Sequence, residues 1–177
     1  VRGYGGSVKP SEVSAYTLPA LAADVTAVAA ALAPEPAVLF GHDWGAPIAY
    51  HTALLYPEQF RAVAGLSVPY SPPSPTPFIE VAEALYADRF FYQNSFQAPG
   101  VAEQELEADP EDALARIYFA LSGDAPLDLW LQPKAKAAGL LEALPRPEPF
   151  PAWMSSEDLA VYARAFRAGG FRGPLNR

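Results

Sequence analysis

A glycine-x-aspartate-x-glycine pattern, Gly41-His42-Asp43-Trp44-Gly45, follows the short apolar run Ala37-Val38-Leu39-Phe40. The layout is that of a nucleophile elbow, a sharp strand-to-helix turn that usually presents a serine. Here a carboxylate stands in the serine's place. A carboxylate that attacks an sp³ carbon makes an ester, which water can later release; a serine would make an ether, which water could not. That chemistry suits epoxides and alkyl halides. The flanking glycines, Gly41 and Gly45, meet the turn's demand for small residues. The N–H of the next residue, Trp44, is placed to stabilise charge developing on the ester's carbonyl oxygen. The bland alternative is an aspartate that only caps the following helix.

An elbow works only between a strand and a helix, so the flanking segments decide how much weight the motif carries. Residues 37–40 are short, apolar and uninterrupted, as expected of a strand buried on both faces. A helix through about Tyr56, ended by Pro57, follows the motif. Residues 60–68, Phe-Arg-Ala-Val-Ala-Gly-Leu-Ser-Val, read as a second buried strand. Strand, helix and strand of these lengths form a βαβ unit, hence a parallel sheet and an α/β fold class. Upstream, Leu18, Leu21, Val25, Val28 and Leu32 recur at helical spacing, with Thr17 as a cap and Pro19 tolerated in the first turn. Residues 1–10 are glycine-rich, end in proline and read as a loop.

The character changes at Pro69. Residues 69–78 hold five prolines in ten positions, a stiff linker that neither helix nor sheet accepts. Beyond it no strand is legible. Asp109 before Pro110 marks a helix start, with Leu114, Ile117, Tyr118 and Leu121 on one face. Residues 144–152 form another proline-rich connection. Ser155 and Asp158 resemble a capping box, followed by Leu159, Tyr162, Ala163 and Phe166 at helical spacing and closed by Gly169-Gly170. The expected division is therefore residues 1–75, carrying the elbow and the proline-rich linker, and residues 76–177, which are helical.

Composition narrows the function. The 177 residues are 51% hydrophobic and 18% charged, which is the balance of a folded core. A net charge of −8 repels phosphate backbones and argues against nucleic acid. No basic amphipathic stretch suggests a membrane surface, no apolar run is long enough to span one, and no signal peptide is legible; a cytoplasmic location is expected. The absence of cysteine excludes thiolate metal sites and cysteine nucleophiles, and two histidines, His42 and His51, do not make a metal centre. No cofactor and no metal are called for, and nothing bears on oligomeric state.

The segment Gly-His-Asp-Trp-Gly-Ala after Ala-Val-Leu-Phe resembles the α/β-hydrolase-fold epoxide hydrolases. So do the upstream RGYGGSVKP and YTLPALAADV and the downstream YPEQFRAVAGLSVPY. The likeness runs on through FFYQNSFQAPGVAEQELEAD to the terminal GFRGPLN, which are similar to that family's helical cap domain. The resemblance implies a partial α/β-hydrolase core with a cap, an epoxide and water as the reactants, and roles for three residues. Asp43 matches the nucleophile. Trp44 matches the residue whose N–H joins the oxyanion hole and whose ring lines the pocket. Tyr92 matches one of two cap tyrosines that hold the epoxide oxygen, a role in which a phenol donates a hydrogen bond or a proton as the C–O bond breaks. Taken without the resemblance, Tyr92 is one of nine tyrosines and reads as a packed aromatic.

Three elements of the family pattern have no counterpart here. A second cap tyrosine would follow GFRGPLN, where Asn176 is followed only by Arg177. A late histidine to activate water, with an acid to orient it, is not found, and neither His42 nor His51 is suitably placed in sequence. The second oxyanion donor would precede RGYG. The chain is thus expected to be a fragment, inactive or limited to a single turnover alone. Two further readings are a haloalkane dehalogenase, which shares the elbow aspartate and its tryptophan but not the phenol at Tyr92, and a truncated product without catalysis.

Overall fold

The computed structural model describes residues 1–177, which divide into two units. The first comprises Val1–Arg2, Ser7–Pro73 and Asn176–Arg177; the second comprises Gly3–Gly6 and Ser74–Leu175. No helix is long and apolar enough to cross a membrane.

The first unit holds α1 (Leu18–Leu32), β1 (Ala37–His42), α2 (Gly45–Leu55) and β2 (Phe60–Leu66). Strands β1 and β2 pair in parallel, with Gly41 opposite Gly65 and His42 opposite Leu66. The ladder continues one residue further, where the Asp43 N–H donates to the Leu66 carbonyl at 3.2 Å. Helix α2 packs on both strands and α1 packs on α2. Leu21, Ala22, Ala46, Ile48 and Ala49 form the interior of this stack. Arg2 closes its start, donating to both Asp24 carboxylate oxygens at 2.6 and 2.8 Å and to the Ala15 carbonyl at 2.7 Å.

Two expectations about this unit need correcting. The strands are not buried on both faces: Phe40 is 76% exposed, Val38, Val63 and Leu66 are exposed too, and Phe60 is the one buried residue of β2. The cause is geometric. Successive side chains of a strand point to opposite faces, and only the face under α2 is covered. Helix α1 has the expected bounds, but its apolar stripe is buried only at its N-terminal end. Val28 and Leu32 are exposed, and burial falls instead on Leu21 and the adjacent Ala22, where small side chains let α1 approach α2.

The second unit contains α3 (Phe78–Leu85), α4 (Tyr92–Phe96), α5 (Val101–Ala108), α6 (Pro110–Ala120), α7 (Ser156–Gly169) and the single turn α8 (Arg172–Leu175). The cap signals operate as the sequence implies. The Asp109 carboxylate accepts from the Glu111 and Asp112 N–H groups, and Ser155 and Asp158 complete a capping box. Helix α7 ends at Gly170, whose φ of 70° favours a residue without Cβ. Leu106, Leu114, Leu140, Leu159, Ala163 and Phe171 lie together in the core. Burying a leucine such as Leu159 contributes about 1.5–3 kcal/mol. Leu121, expected on the buried face of α6, is its exposed C-cap.

The second half is helical apart from the stretch between α6 and α7, where the loop reaches well beyond the expected proline-rich connection at residues 144–152. Residues 121–155 are turns and loops, and they contain Pro126, Pro133, Pro145, Pro147, Pro149 and Pro151, whose missing N–H groups forbid helix. Side chains replace the lost ladder. The Glu105 carboxylate on α5 accepts from the Leu140 and Leu141 N–H groups at 2.7 and 2.8 Å. Arg116 on α6 donates to the Leu144 carbonyl at 2.9 Å. Two neighbouring carboxylates of α5 hold the α7–α8 junction: Glu107 accepts from the Phe171 N–H at 2.9 Å, and Glu103 pairs with Arg172 at 2.7 Å.

Candidate active site

Asp43 stands at the C-terminal end of β1, the end at which α/β sheets place their sites. Its φ is 51°, in the left-handed region that costs a non-glycine residue about 1–2 kcal/mol. The chain reaches that conformation because it reverses within four residues. The Asp43 carbonyl accepts from the Ala46 N–H at 2.9 Å, and α2 begins at Gly45. Gly41 is the residue that makes the reversal possible. A Cβ there would run into the Gly45 carbonyl and would lie 2.6 Å from the Ala46 Cα. Gly45 is different: a Cβ at that position meets nothing within 4 Å, so the expected need for a small residue there does not arise within this chain.

The carboxylate is exposed, and its Oδ2 accepts a 2.7 Å hydrogen bond from the Trp44 N–H. It does not cap α2; the N-cap position is occupied by Trp44, which makes no side-chain cap bond. One carboxylate oxygen is thus engaged by a backbone donor, while no hydrogen bond occupies Oδ1. The Trp44 side chain is 47% exposed. Beneath the turn, the Tyr50 hydroxyl donates to the Val68 carbonyl at 3.2 Å and lies where a Cβ on Gly65 would be, tying α2 to the end of β2. His51 is committed elsewhere: its Nδ1–H donates to the Pro47 carbonyl at 2.8 Å, along α2. His42, the last residue of β1, is exposed.

Tyr92 is the first residue of α4 in the second unit. Its ring meets Phe91, Phe96 and Trp130 at centroid separations of 5.1, 5.5 and 5.8 Å. Its hydroxyl accepts from the Gln93 Nε2 at 2.8 Å, which leaves the phenolic proton available for donation. Tyr92 lines a cavity of about 100 Å³ whose other walls include Phe90, Trp130, Leu140 and Lys134. The Lys134 ammonium is already occupied. It donates to the Leu140, Glu142 and Gly139 carbonyls at 2.7, 3.2 and 3.3 Å and sits 4.7 Å from the Phe90 ring centre. Burial lowers its pKa, against the opposing pull of Glu105 and Glu142.

Sequence reasoning missed Gln93 and Trp130. Gln93 was visible only as the polar neighbour of Tyr92, and Trp130 lies 38 positions away, brought near by the loop between α6 and α7.

The whole of residues 1–139 matches the family described as alpha/beta hydrolase fold, and the chain belongs to that family. Among curated proteins it is similar to Epoxide hydrolase A of Mycobacterium tuberculosis, with 36% identity over 176 residues. That alignment covers 99% of this chain and 55% of the relative. It is also 35% identical to Bifunctional epoxide hydrolase 2 of Sus scrofa, covering 99% of this chain and 31% of that protein. Among solved structures, Epoxide Hydrolase A from Mycobacterium thermoresistibile superposes with a TM-score of 0.90 at 42% identity, over 99% of this chain and 55% of that one. An epoxide hydrolase from an endophytic Streptomyces gives a TM-score of 0.93 at 43% identity, over 100% and 54%. The chain spans about half the length of these structures and of the mycobacterial relative.

Proposed function

We propose that this chain carries the nucleophile and one oxygen-binding tyrosine of an epoxide hydrolase, which opens an epoxide to a vicinal diol through an aspartyl ester. The observation that carries the reading is the turn at Asp43. An exposed carboxylate is held at positive φ at the end of a parallel strand, with one of its oxygens already on a backbone N–H. The epoxide hydrolase names of the relatives support the choice of substrate class.

Oδ1 of Asp43 attacks an epoxide carbon, the C–O bond breaks, and the ring oxygen leaves as an alkoxide that takes the phenolic proton of Tyr92 or is held by its hydrogen bond. The product is a hydroxyalkyl ester in which Oδ2 has become the carbonyl oxygen. Water then adds to the ester carbon, one of its protons passing to the Tyr92 phenolate or to the alkoxide that Tyr92 holds, and negative charge grows on Oδ2, which the Trp44 N–H contacts at 2.7 Å. Collapse of that intermediate expels the ester oxygen, which takes the second water proton, so the diol leaves and the carboxylate is regenerated. His51, engaged with the Pro47 carbonyl, is not assigned the role of water-activating base. A soluble cytoplasmic setting is part of the same proposal.

The test is mass spectrometry after incubation with a reactive aryl epoxide. An adduct of the epoxide's mass is expected on the peptide carrying Asp43 and is expected to vanish in Asp43→Ala. In single-turnover kinetics, Tyr92→Phe should slow ester formation by about one to three orders of magnitude while leaving ester hydrolysis less affected. An adduct on another residue refutes the nucleophile assignment. An unchanged alkylation rate returns Tyr92 to a packing role.

A further inference from the structure

We propose that the helical unit holds a binding site for a flat aromatic monocarboxylate, built by Arg89 and Lys136 around the rings of Tyr86, Phe90 and Phe91. These five residues line an open depression of about 380 Å³, together with Glu83, Asn94 and Ser95. That volume lies within the range of small-molecule sites, which combine apolar walls with a few polar groups.

The backbone sets the two cations side by side. Arg89 and Ala135 form an antiparallel bridge, and the Phe90 N–H donates to the Lys134 carbonyl at 3.0 Å. Residues before α4 are thereby stitched to the loop after α6, although 46 positions separate Arg89 from Ala135 in sequence. The Arg89 guanidinium lies 4.9 Å from the centre of the Tyr86 ring, which in turn stacks on Phe91 at 4.3 Å. No hydrogen bond or ion pair engages the Arg89 guanidinium N–H groups, which leaves them for a ligand. Arg89 makes no ion pair, whereas Arg2, Arg116, Arg146, Arg167 and Arg172 each have a carboxylate within 4 Å. Lys136 donates to the Ala87 carbonyl at 2.8 Å and also lacks a carboxylate partner. Two cations therefore face one wall carboxylate, Glu83, with Asp88 beside them in sequence, on a chain whose net charge is −8.

The chemistry follows from the wall. A planar fork with free N–H groups matches a carboxylate in two parallel hydrogen bonds, and the ammonium adds a second charge. The aromatic rings favour a flat apolar body next to that carboxylate over a bare anion.

The test is calorimetric titration of the 177-residue chain with 2-naphthoate, 2-naphthamide, acetate and 2-naphthyl phosphate. Naphthoate should bind about tenfold or more tightly than the neutral amide and than acetate, and should weaken as salt rises. The paired substitution Arg89→Gln with Lys136→Gln should remove the preference for acid over amide in a chain that still melts cooperatively, at a somewhat lower temperature because the Lys136 bond to the Ala87 carbonyl is lost. Equal binding of acid and amide reduces the site to an apolar surface and overturns the proposal. So does equal binding of acetate and naphthoate, tighter binding of the naphthyl phosphate, or an acid preference that survives both substitutions. Absence of saturable naphthoate binding overturns it as well. The acid-to-amide comparison uses the unaltered chain, so it stands even if a variant folds poorly.

Discussion

The turn at Asp43 stores strain where the proposed chemistry needs it, and two substitutions measure how much. Asp43→Ala removes the 2.7 Å bond to the Trp44 N–H and keeps a side chain at φ 51°. Asp43→Gly removes the same bond but also removes the left-handed penalty. The lost bond is common to both variants, so it cancels in their comparison. What remains is the left-handed cost, about 1–2 kcal/mol, offset by the extra freedom of glycine in the unfolded chain, about 0.5–1 kcal/mol. The glycine variant should be the more stable by roughly 0.5–1 kcal/mol, a two- to fivefold difference in the opening equilibrium. The assay is hydrogen exchange by mass spectrometry on peptides from β1 and α2, which isolates this unit from the helical one. Both variants should be inert toward epoxide. If the alanine variant is as protected as the glycine variant, or more so, then Asp43 does not hold a left-handed conformation in solution, and the elbow argument fails with it.

Further outcomes concern the glycines of the turn and an ion pair of the helical unit. Gly41→Ala should destabilise the first unit by about 1–3 kcal/mol or more, because its Cβ meets rigid backbone, whereas Gly45→Ala should be tolerated. Urea midpoints of the two variants check this, and equal midpoints would contradict it. In the helical unit, Glu103 is 8% exposed and Arg172 is 32% exposed, so Glu103→Gln should cost about 1–3 kcal/mol, less than a fully buried pair. Burial pushes the Glu103 carboxyl upward, but hydrogen bonds from Arg172 and the Gly100 N–H prevail and hold it below its ordinary value. A depressed carboxylate lends stability above the ordinary glutamate range near 4.5 and loses it as pH falls below that. Acid titration of the melt should therefore show a loss at low pH that is smaller in Glu103→Gln; an identical profile in both would remove the ion pair from the account.

The local elements were legible because their signals are local. Asp109 before Pro110, Ser155 with Asp158, and Gly170 after α7 each act on the adjacent turn, and each does so in the structure. The tight turn after β1 was legible in part, through Gly41: a Cβ there would meet the Gly45 and Ala46 backbone, so the reversal that holds Asp43 at positive φ needs a glycine at that position, whereas Gly45 is not needed. Burial was not legible in the same way. The apolar run Ala37–Phe40 reads as a strand covered on both sides, yet coverage is set by which helices pack there, and only one face is covered. The loop between α6 and α7 was opaque for a related reason. Its conformation rests on Glu105, Arg116 and Lys134, whose partners lie up to 36 positions away and have no periodicity to betray them. The pairing of Arg89 with the segment around Lys136 belongs to the same category. Short-range stereochemistry is fixed by residue type and spacing, whereas long-range contacts exist only once the chain has closed on itself.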